Sequence, residues 1–105
     1  MSDKIKDTTD DGVEYVELEH EFMDRFKGEE VTFTFRFKRP NTAQANRFQK
    51  TCAKNSMTAG KNLVNDTIHP EDKAAFKNAQ ATYPGLAASF GNELATSCGF
   101  GTLGN

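Results

Sequence analysis

The clearest pattern in the chain is a strict alternation of apolar and polar residues over residues 31–38. Phe33, Phe35 and Phe37 point to one face of an extended chain, while threonines and basic residues point to the other. Phenylalanine and threonine favour strands, so the period of two predicts a β-strand. A hairpin with such an apolar face is stable only when another element covers it.

A less regular alternation over residues 13–20 predicts a second strand. The alternation slips after Tyr15, which indicates either a β-bulge or a weak edge strand. A helix over residues 16–26 is the competing interpretation, because its apolar residues also recur every three or four positions. Gly28 suits a turn between the two strands, so we expect a β-hairpin with a loop near residues 22–29.

Four short amphipathic segments after Pro40 predict helices. Most of them follow helix-starting residues, which are Asn41 or Thr42 before the first and the pair His69-Pro70 before the third. The predicted helices cover residues 42–54, 57–68, 70–82 and 84–97. Gly60 lies inside the second helix, where glycine is unfavourable unless the helix is closely packed or broken at that point. The sequence leaves these two explanations open.

Together the elements predict an α+β fold, in which an N-terminal β-hairpin packs on a cluster of about four short α-helices. We expect one small domain over residues 13–98, with a disordered acidic tail at 1–12 and a flexible glycine-rich tail at 99–105. Leu, Ile, Val and Phe make up only 20 of the 105 residues. This small apolar fraction predicts a thin core, so we expect a partner or a homo-oligomer to cover the remaining apolar surface.

Charge is distributed unevenly, although the net charge of the chain is only −2. Residues 1–30 contain 11 acidic and 4 basic residues, whereas residues 31–61 contain 7 basic residues and no acidic one. Either the two segments face each other within the fold, or the basic segment forms a surface for a partner.

The sequence also indicates a location. No apolar stretch is long enough to predict a transmembrane helix, and the first residues lack the apolar region of a signal peptide. Cys52 and Cys98 are too few for a disulfide framework. We therefore expect a cytoplasmic protein with two free thiols and no membrane association.

The residues that could carry chemistry do not predict an enzyme. His20 and His69 are the only histidines, and His69 is explained by its place before a helix-starting proline. The two cysteines and two histidines match no zinc pattern, and no glycine loop resembles a phosphate cradle. We expect no catalytic residue, no metal site and no cofactor.

Nucleic-acid binding is a weaker alternative. Aromatic residues on a strand with basic neighbours, here Phe33 to Phe37 with Arg36 and Lys38, occur in proteins that stack single-stranded bases. However, this aromatic face is the obvious core face of the hairpin, and the chain carries a net negative charge. The sequence therefore disfavours nucleic acid as a partner.

Four short motifs, in this order and spacing, carry a resemblance to a known family. They are Phe35-Arg36-Phe37-Lys38-Arg39-Pro40, Lys61-Asn62-Leu63-Val64, His69-Pro70-Glu71-Asp72 and Tyr83-Pro84-Gly85-Leu86. The stretch from Phe33 to Leu94 resembles small proteins of tailed phages and prophages, of the tail assembly chaperone type.

The resemblance implies a non-enzymatic morphogenesis factor in the cytoplasm of a bacterial host. Proteins of this type coat the long, helical tape measure protein before the tail tube polymerises around it. In many such phages a ribosomal frameshift also produces a longer form. The physical mechanism would be the masking of apolar helical segments that otherwise aggregate.

For such masking we expect an apolar groove on the later helices, apolar contacts from the C-terminal tail, and a basic group that attracts an acidic partner. The candidate residues are Leu63, Val64, Ile68, Leu86, Phe90 and Leu94 on the helices, Phe100 and Leu103 in the tail, and Arg36, Lys38, Arg39, Arg47 and Lys50 in the basic group. The alternative for each apolar helix residue is an ordinary place in the core.

Two further functions stay open at this point. The chain could be a structural tail or head component that remains in the virion, or a small nucleic-acid-binding protein of prophage origin. Gene position beside a long helical protein would favour the chaperone.

Overall fold

The computed structural model describes residues 8–10 and 12–99, with side chains over residues 12–99. A three-stranded antiparallel sheet comes first and four helices follow, with a short 3-10 turn at Pro70–Asp72. The elements are β1 (Thr8–Asp10), β2 (Val13–Asp24), β3 (Glu29–Lys38), α1 (Thr42–Cys52), α2 (Ser56–Thr67), α3 (Lys73–Thr82) and α4 (Leu86–Thr96). The predicted α+β fold, a hairpin packed on four short helices, is confirmed.

The hairpin is longer and its turn tighter than the sequence predicted. β2 and β3 pair without interruption from Tyr15 opposite Lys38 to Asp24 opposite Glu29, so the expected loop at 22–29 is reduced to residues 25–28. Gly28 has φ 70° and donates its N–H to the carbonyl of Asp24 at 2.8 Å. Glycine adopts this backbone conformation without the strain that a side chain would cause, which allows the tight turn.

The N-terminal region corrects a second expectation. Residues 8–10, predicted to belong to a disordered tail, form strand β1 and pair with the first residues of β2, from Thr8 opposite Tyr15 to Asp10 opposite Val13. Gly12, at φ 78°, lies between the two strands. Pairing with β2 is what holds this segment as a strand. Residues 1–7, 11 and 100–105 lie outside the described part of the chain.

The slip in alternation after Tyr15 is neither a bulge nor a helix, because β2 keeps one continuous register. Instead, β2 buries residues on both faces. Leu18 and Phe22 pack on the side of the helices, whereas Tyr15 points to the other side and is buried against the ring of His69, with 4.6 Å between ring centroids. The segment after α2 brings His69 there, since the His69 N–H donates to the Arg36 carbonyl at 2.9 Å.

The core lies between the aromatic face of β3 and the helices. Phe35 and Phe37 are buried, and their ring centroids lie 5.5 and 5.4 Å from that of Phe90 on α4. Phe76 on α3 packs edge-on against Phe35 at 5.2 Å. The predicted covering of the hairpin by the helices is therefore confirmed for Phe35 and Phe37, while Phe33 is only half-buried.

Side-chain caps define the helix starts near the predicted positions. The Asn41 side chain accepts from the Gln44 N–H, and the Gln44 side chain accepts from the Asn41 N–H, which forms a capping box at α1. At α2 the Asn55 side chain accepts from the Thr58 N–H. The third predicted helix begins as the 3-10 turn after His69, whose Nδ1 accepts from the Glu71 N–H at 3.0 Å.

Gly60 marks a close helix contact and not a break. It faces α4, where a Cβ added at Gly60 would lie 2.5 Å from the Ala87 carbonyl oxygen. A Cβ at Gly91 would lie 2.7 Å from the Gly60 Cα. The two glycines therefore let α2 and α4 approach at backbone distance.

We predict that Gly60→Ala lowers the free energy of unfolding by about 1–3 kcal/mol, because the new methyl group must displace backbone atoms. Urea denaturation measures this change. Gly85→Ala is the matched control, since a Cβ there meets no atom within 4 Å and its φ is −73°. Equal stability of the Gly60 variant and the wild type would contradict the close crossing.

Candidate functional site

Four large apolar side chains of the described residues are exposed, and the two most exposed lie at the tip of the hairpin, the others being Val16 and Met57. Phe26, in the turn, is fully exposed at 104% of its reference area, and Met23 at the end of β2 is 49% exposed. Burying one large apolar side chain contributes about 1.5–3 kcal/mol, so leaving a phenylalanine in water is a feature typical of binding surfaces.

Phe26 borders a groove of about 740 Å³ between the hairpin tip and the loop that joins α3 to α4. We call it the hairpin-tip groove. Its residues are His20, Phe22 to Lys27, Thr82 to Leu86, and Ser89. Phe22 and Tyr83 form the aromatic part of the wall, with ring centroids 5.0 Å apart at an interplanar angle of 77°.

One carboxylate holds both sides of the hairpin-tip groove together. Asp24 Oδ1 accepts from the backbone N–H groups of Phe26 at 2.9 Å and Lys27 at 3.2 Å. Asp24 Oδ2 accepts from the Tyr83 hydroxyl at 2.6 Å. The hydrogen bond from Tyr83 is the main cause that lowers the pKa of Asp24, and the same bond raises the pKa of Tyr83. Asp24 thus fixes the turn that carries Phe26 and the loop that carries Tyr83.

A cation also lies against the aromatic wall. The Lys27 ammonium is 5.9 Å from the centroid of the Tyr83 ring. A lysine at this distance is attracted by the negative face of the ring. The groove therefore combines an apolar aromatic wall with a charged rim, which suits a peptide segment that is apolar on one side.

The structure corrects the placement of the six apolar helix residues predicted to form a partner groove. All are at most 5% exposed and belong to the core of the chain itself: Leu63, Val64, Ile68, Leu86, Phe90 and Leu94. The physical reason is that these side chains pack in one core cluster with Phe35 and Phe37 of β3. The alternative role, ordinary core residues, is the one that the structure supports.

The predicted basic group does not form one patch. The Arg36 guanidinium holds the Asp72 carboxylate with two hydrogen bonds, Nε to Oδ2 at 3.1 Å and Nη2 to Oδ1 at 2.7 Å. The Arg47 guanidinium is paired with Asp66 on α2. These acidic partners come from residues 66–72, so within residues 12–99 neither arginine is paired with an acidic residue of the N-terminal segment.

Three members of the basic group remain at the surface. Lys38 is half-buried, whereas Arg39 and Lys50 are exposed, and none of them lines the hairpin-tip groove. Phe100 and Leu103, predicted as apolar contacts of the C-terminal tail, lie outside the described residues.

The sequence did not predict Phe26 and Met23 as binding residues. Both lie in the predicted loop at 22–29, and the competing helix over 16–26 also contains them. The available signal was a phenylalanine between Arg25 and Lys27 next to a turn glycine, where no core can reach it.

The described residues show no arrangement typical of a metal centre. Within residues 12–99, no three His, Cys, Asp or Glu side chains are grouped so that they could hold a metal ion. Cys52 and Cys98 are free thiols and both are half-buried. No described helix is long and apolar enough to span a membrane.

The fold and the groove define the class of protein as a small α+β domain with an aromatic groove at the tip of its hairpin. The chain belongs to the family described as Domain of unknown function (DUF6848), which it matches over residues 5–105. No curated protein matches the sequence significantly.

A solved structure shares the fold. It is described as the structure of uncharacterised protein rbstp2171 from Bacillus stearothermophilus, and it is similar with a TM-score of 0.65 and 27% sequence identity. The similarity covers 85% of this chain and 86% of that chain. The hairpin followed by helices is therefore an arrangement that exists in an independently determined structure.

We predict that the Arg36–Asp72 pair makes stability depend on pH. Burial alone would raise the pKa of the Asp72 carboxyl, but hydrogen bonds from the Arg36 side chain and backbone outweigh it and lower that pKa. Because the pKa of Asp72 is lower in the folded state than in the unfolded state, its ionised form stabilises the fold at pH values above the ordinary pKa of 3.8. This stabilisation is lost as the pH falls through the lowered pKa.

Asp72→Asn should therefore cost about 1–2 kcal/mol of unfolding free energy at pH 7, and the difference from wild type should shrink as the pH falls below about 4. Urea melts over this pH range measure it. Glu71→Gln is the control, because the Glu71 side chain is 76% exposed and meets Arg36 only at 3.5 Å. A constant difference at all pH values would contradict the role of the charge.

Proposed function

We propose that this chain is a non-enzymatic assembly factor of a tailed phage or prophage, which binds apolar helical segments of a large tail protein of the tape measure type. The proposal rests on the family resemblance of its motifs and on one feature of its surface. That feature is the fully exposed Phe26 beside the hairpin-tip groove.

The binding mode follows from the shape and chemistry of this surface. A helical segment with an apolar stripe would lie against Phe22 and Tyr83 and cover Phe26, while its polar side stays in water. Such contacts keep apolar helices from aggregating until their permanent partner replaces the chaperone. The Asp24 hydrogen bonds fix the backbone of Phe26 and the Tyr83 side chain before binding, so little backbone freedom is lost when the partner docks.

The alternative as a nucleic-acid binder finds less support in the geometry. Its proposed stacking residues include Phe35 and Phe37, which are 5% and 0% exposed. Bases cannot stack on rings that the helices already cover. The alternative as a permanent tail or head component uses the same protein-binding surface, and it differs only in whether the chain stays in the finished particle.

We predict that Phe26→Ser weakens binding of the tape measure protein about tenfold or more, because the complex loses a buried phenylalanine. Co-expression of the full chain with a tape measure protein from the same genome, followed by co-purification and quantitative titration, measures this. Met57→Ser is the matched control, since Met57 is 40% exposed and lies outside the hairpin-tip groove.

Three results would contradict the proposal. The first is equal partner binding by the Phe26 variant and the wild type, and the second is an equal loss in the Met57 variant. The third is the presence of this chain at stoichiometric levels in purified particles by mass spectrometry, which would identify a structural component.

A further inference from the structure

A second groove, of about 780 Å³, lies between α2 and α3. We call it the α2–α3 groove, and it shares no residue with the hairpin-tip groove. Buried apolar side chains form its floor, namely Val64, Ile68 and Phe76. The floor belongs to the core, so the groove is a fixed part of the fold.

Three lysines line this groove and carry unbalanced charge. Lys61 lies on α2, and Lys73 and Lys77 lie one turn apart on α3, all exposed to solvent. None of the described residues that line the groove is acidic. Within residues 12–99 none of the three lysines forms an ion pair.

The acidic residues near this groove in sequence are occupied elsewhere. Asp66 is paired with Arg47, and Asp72 with Arg36. Both arginines are therefore neutralised within the fold, whereas the groove keeps three positive charges around an apolar floor. Clefts lined by one sign of charge attract ligands of the opposite sign.

We propose that the α2–α3 groove binds an acidic amphipathic helix of a partner protein. The exposed alanines beside the closed floor, Ala74 and Ala81, meet the apolar side of the helix, and the lysines take carboxylates on its flanks. Lys73 and Lys77 are four residues apart, so their ammonium groups match acidic residues with the same helical spacing on the occupant.

Two features favour a helix over other anionic ligands. A fatty acid has one carboxylate and would leave two of the lysines unpaired. Stacking of nucleic-acid bases would need exposed rings, but Phe76, the aromatic residue among the described residues lining the groove, is 7% exposed. In addition, Ala74 and Ala81 are exposed and small, and they let a helix approach α3 closely.

The length of the groove sets the size of the probe. α3 has 10 residues and extends about 15 Å, so an occupant helix of about 15 residues spans it. We would therefore use two labelled peptides of this length with the same leucine stripe. One carries glutamate pairs at i, i+4 on its flanks, and the other carries lysine in their place.

Fluorescence anisotropy with the full chain then tests the proposal. We expect the glutamate peptide to bind at least about tenfold more tightly than the lysine peptide, and its affinity to fall as salt is raised. Lys77→Glu should weaken the glutamate peptide about fivefold, because an attraction becomes a repulsion. Lys54→Glu is the control with the same change in charge, since Lys54 is exposed and lies outside the groove.

Each contrary result has a defined meaning. Absence of binding, equal binding of the two peptides, or an equal loss in the Lys54 variant overturns the proposal. Displacement of the peptide by laurate or by an oligothymidylate assigns the groove to a fatty acid or to nucleic acid and also overturns it. Phe26→Ser should leave peptide binding unchanged, because Phe26 does not line the α2–α3 groove. The test of this groove is therefore independent of the test of the proposed tail function.

Discussion

The contact between Phe90 and the aromatic face of the hairpin is the interaction on which the structure depends. Phe90 has no exposed surface, and its ring lies 5.5 Å from Phe35, 5.4 Å from Phe37 and 6.2 Å from Phe76. A hairpin is marginal in water, and short helices are marginal too, so each part is stable only against the other. One ring on α4 therefore joins the sheet to the helices.

This use of the core decides which surfaces remain for partners. The apolar residues of the later helices are buried in the core with β3. The most exposed apolar side chains, Phe26 and Met23, lie at the hairpin tip. Ion pairs act in the same way, because they neutralise Arg36 and Arg47 and leave the lysines of the α2–α3 groove unpaired. Both proposed binding surfaces are thus what the fold leaves uncovered.

Local signals predicted the fold well because they coincide with its main contacts. The period of two at Phe33 to Phe37 defines β3, and Asn41 predicts the start of α1 through its cap. Contacts between distant residues were not predictable in this way. Tyr15 breaks the alternation because it packs on His69, 54 positions later, and the grooves arise only when separate elements meet.

The most direct measurement is the free energy of unfolding of two variants that remove the same side chain, Phe35→Ala and Phe26→Ala. Phe35 is 5% exposed and Phe26 is fully exposed. The loss of Phe35 should cost about 3–5 kcal/mol, because it empties part of the aromatic core. The loss of Phe26 should stay within about 0.5 kcal/mol. Similar costs for both, or a larger cost at Phe26, would contradict the division between a covered sheet face and an exposed tip.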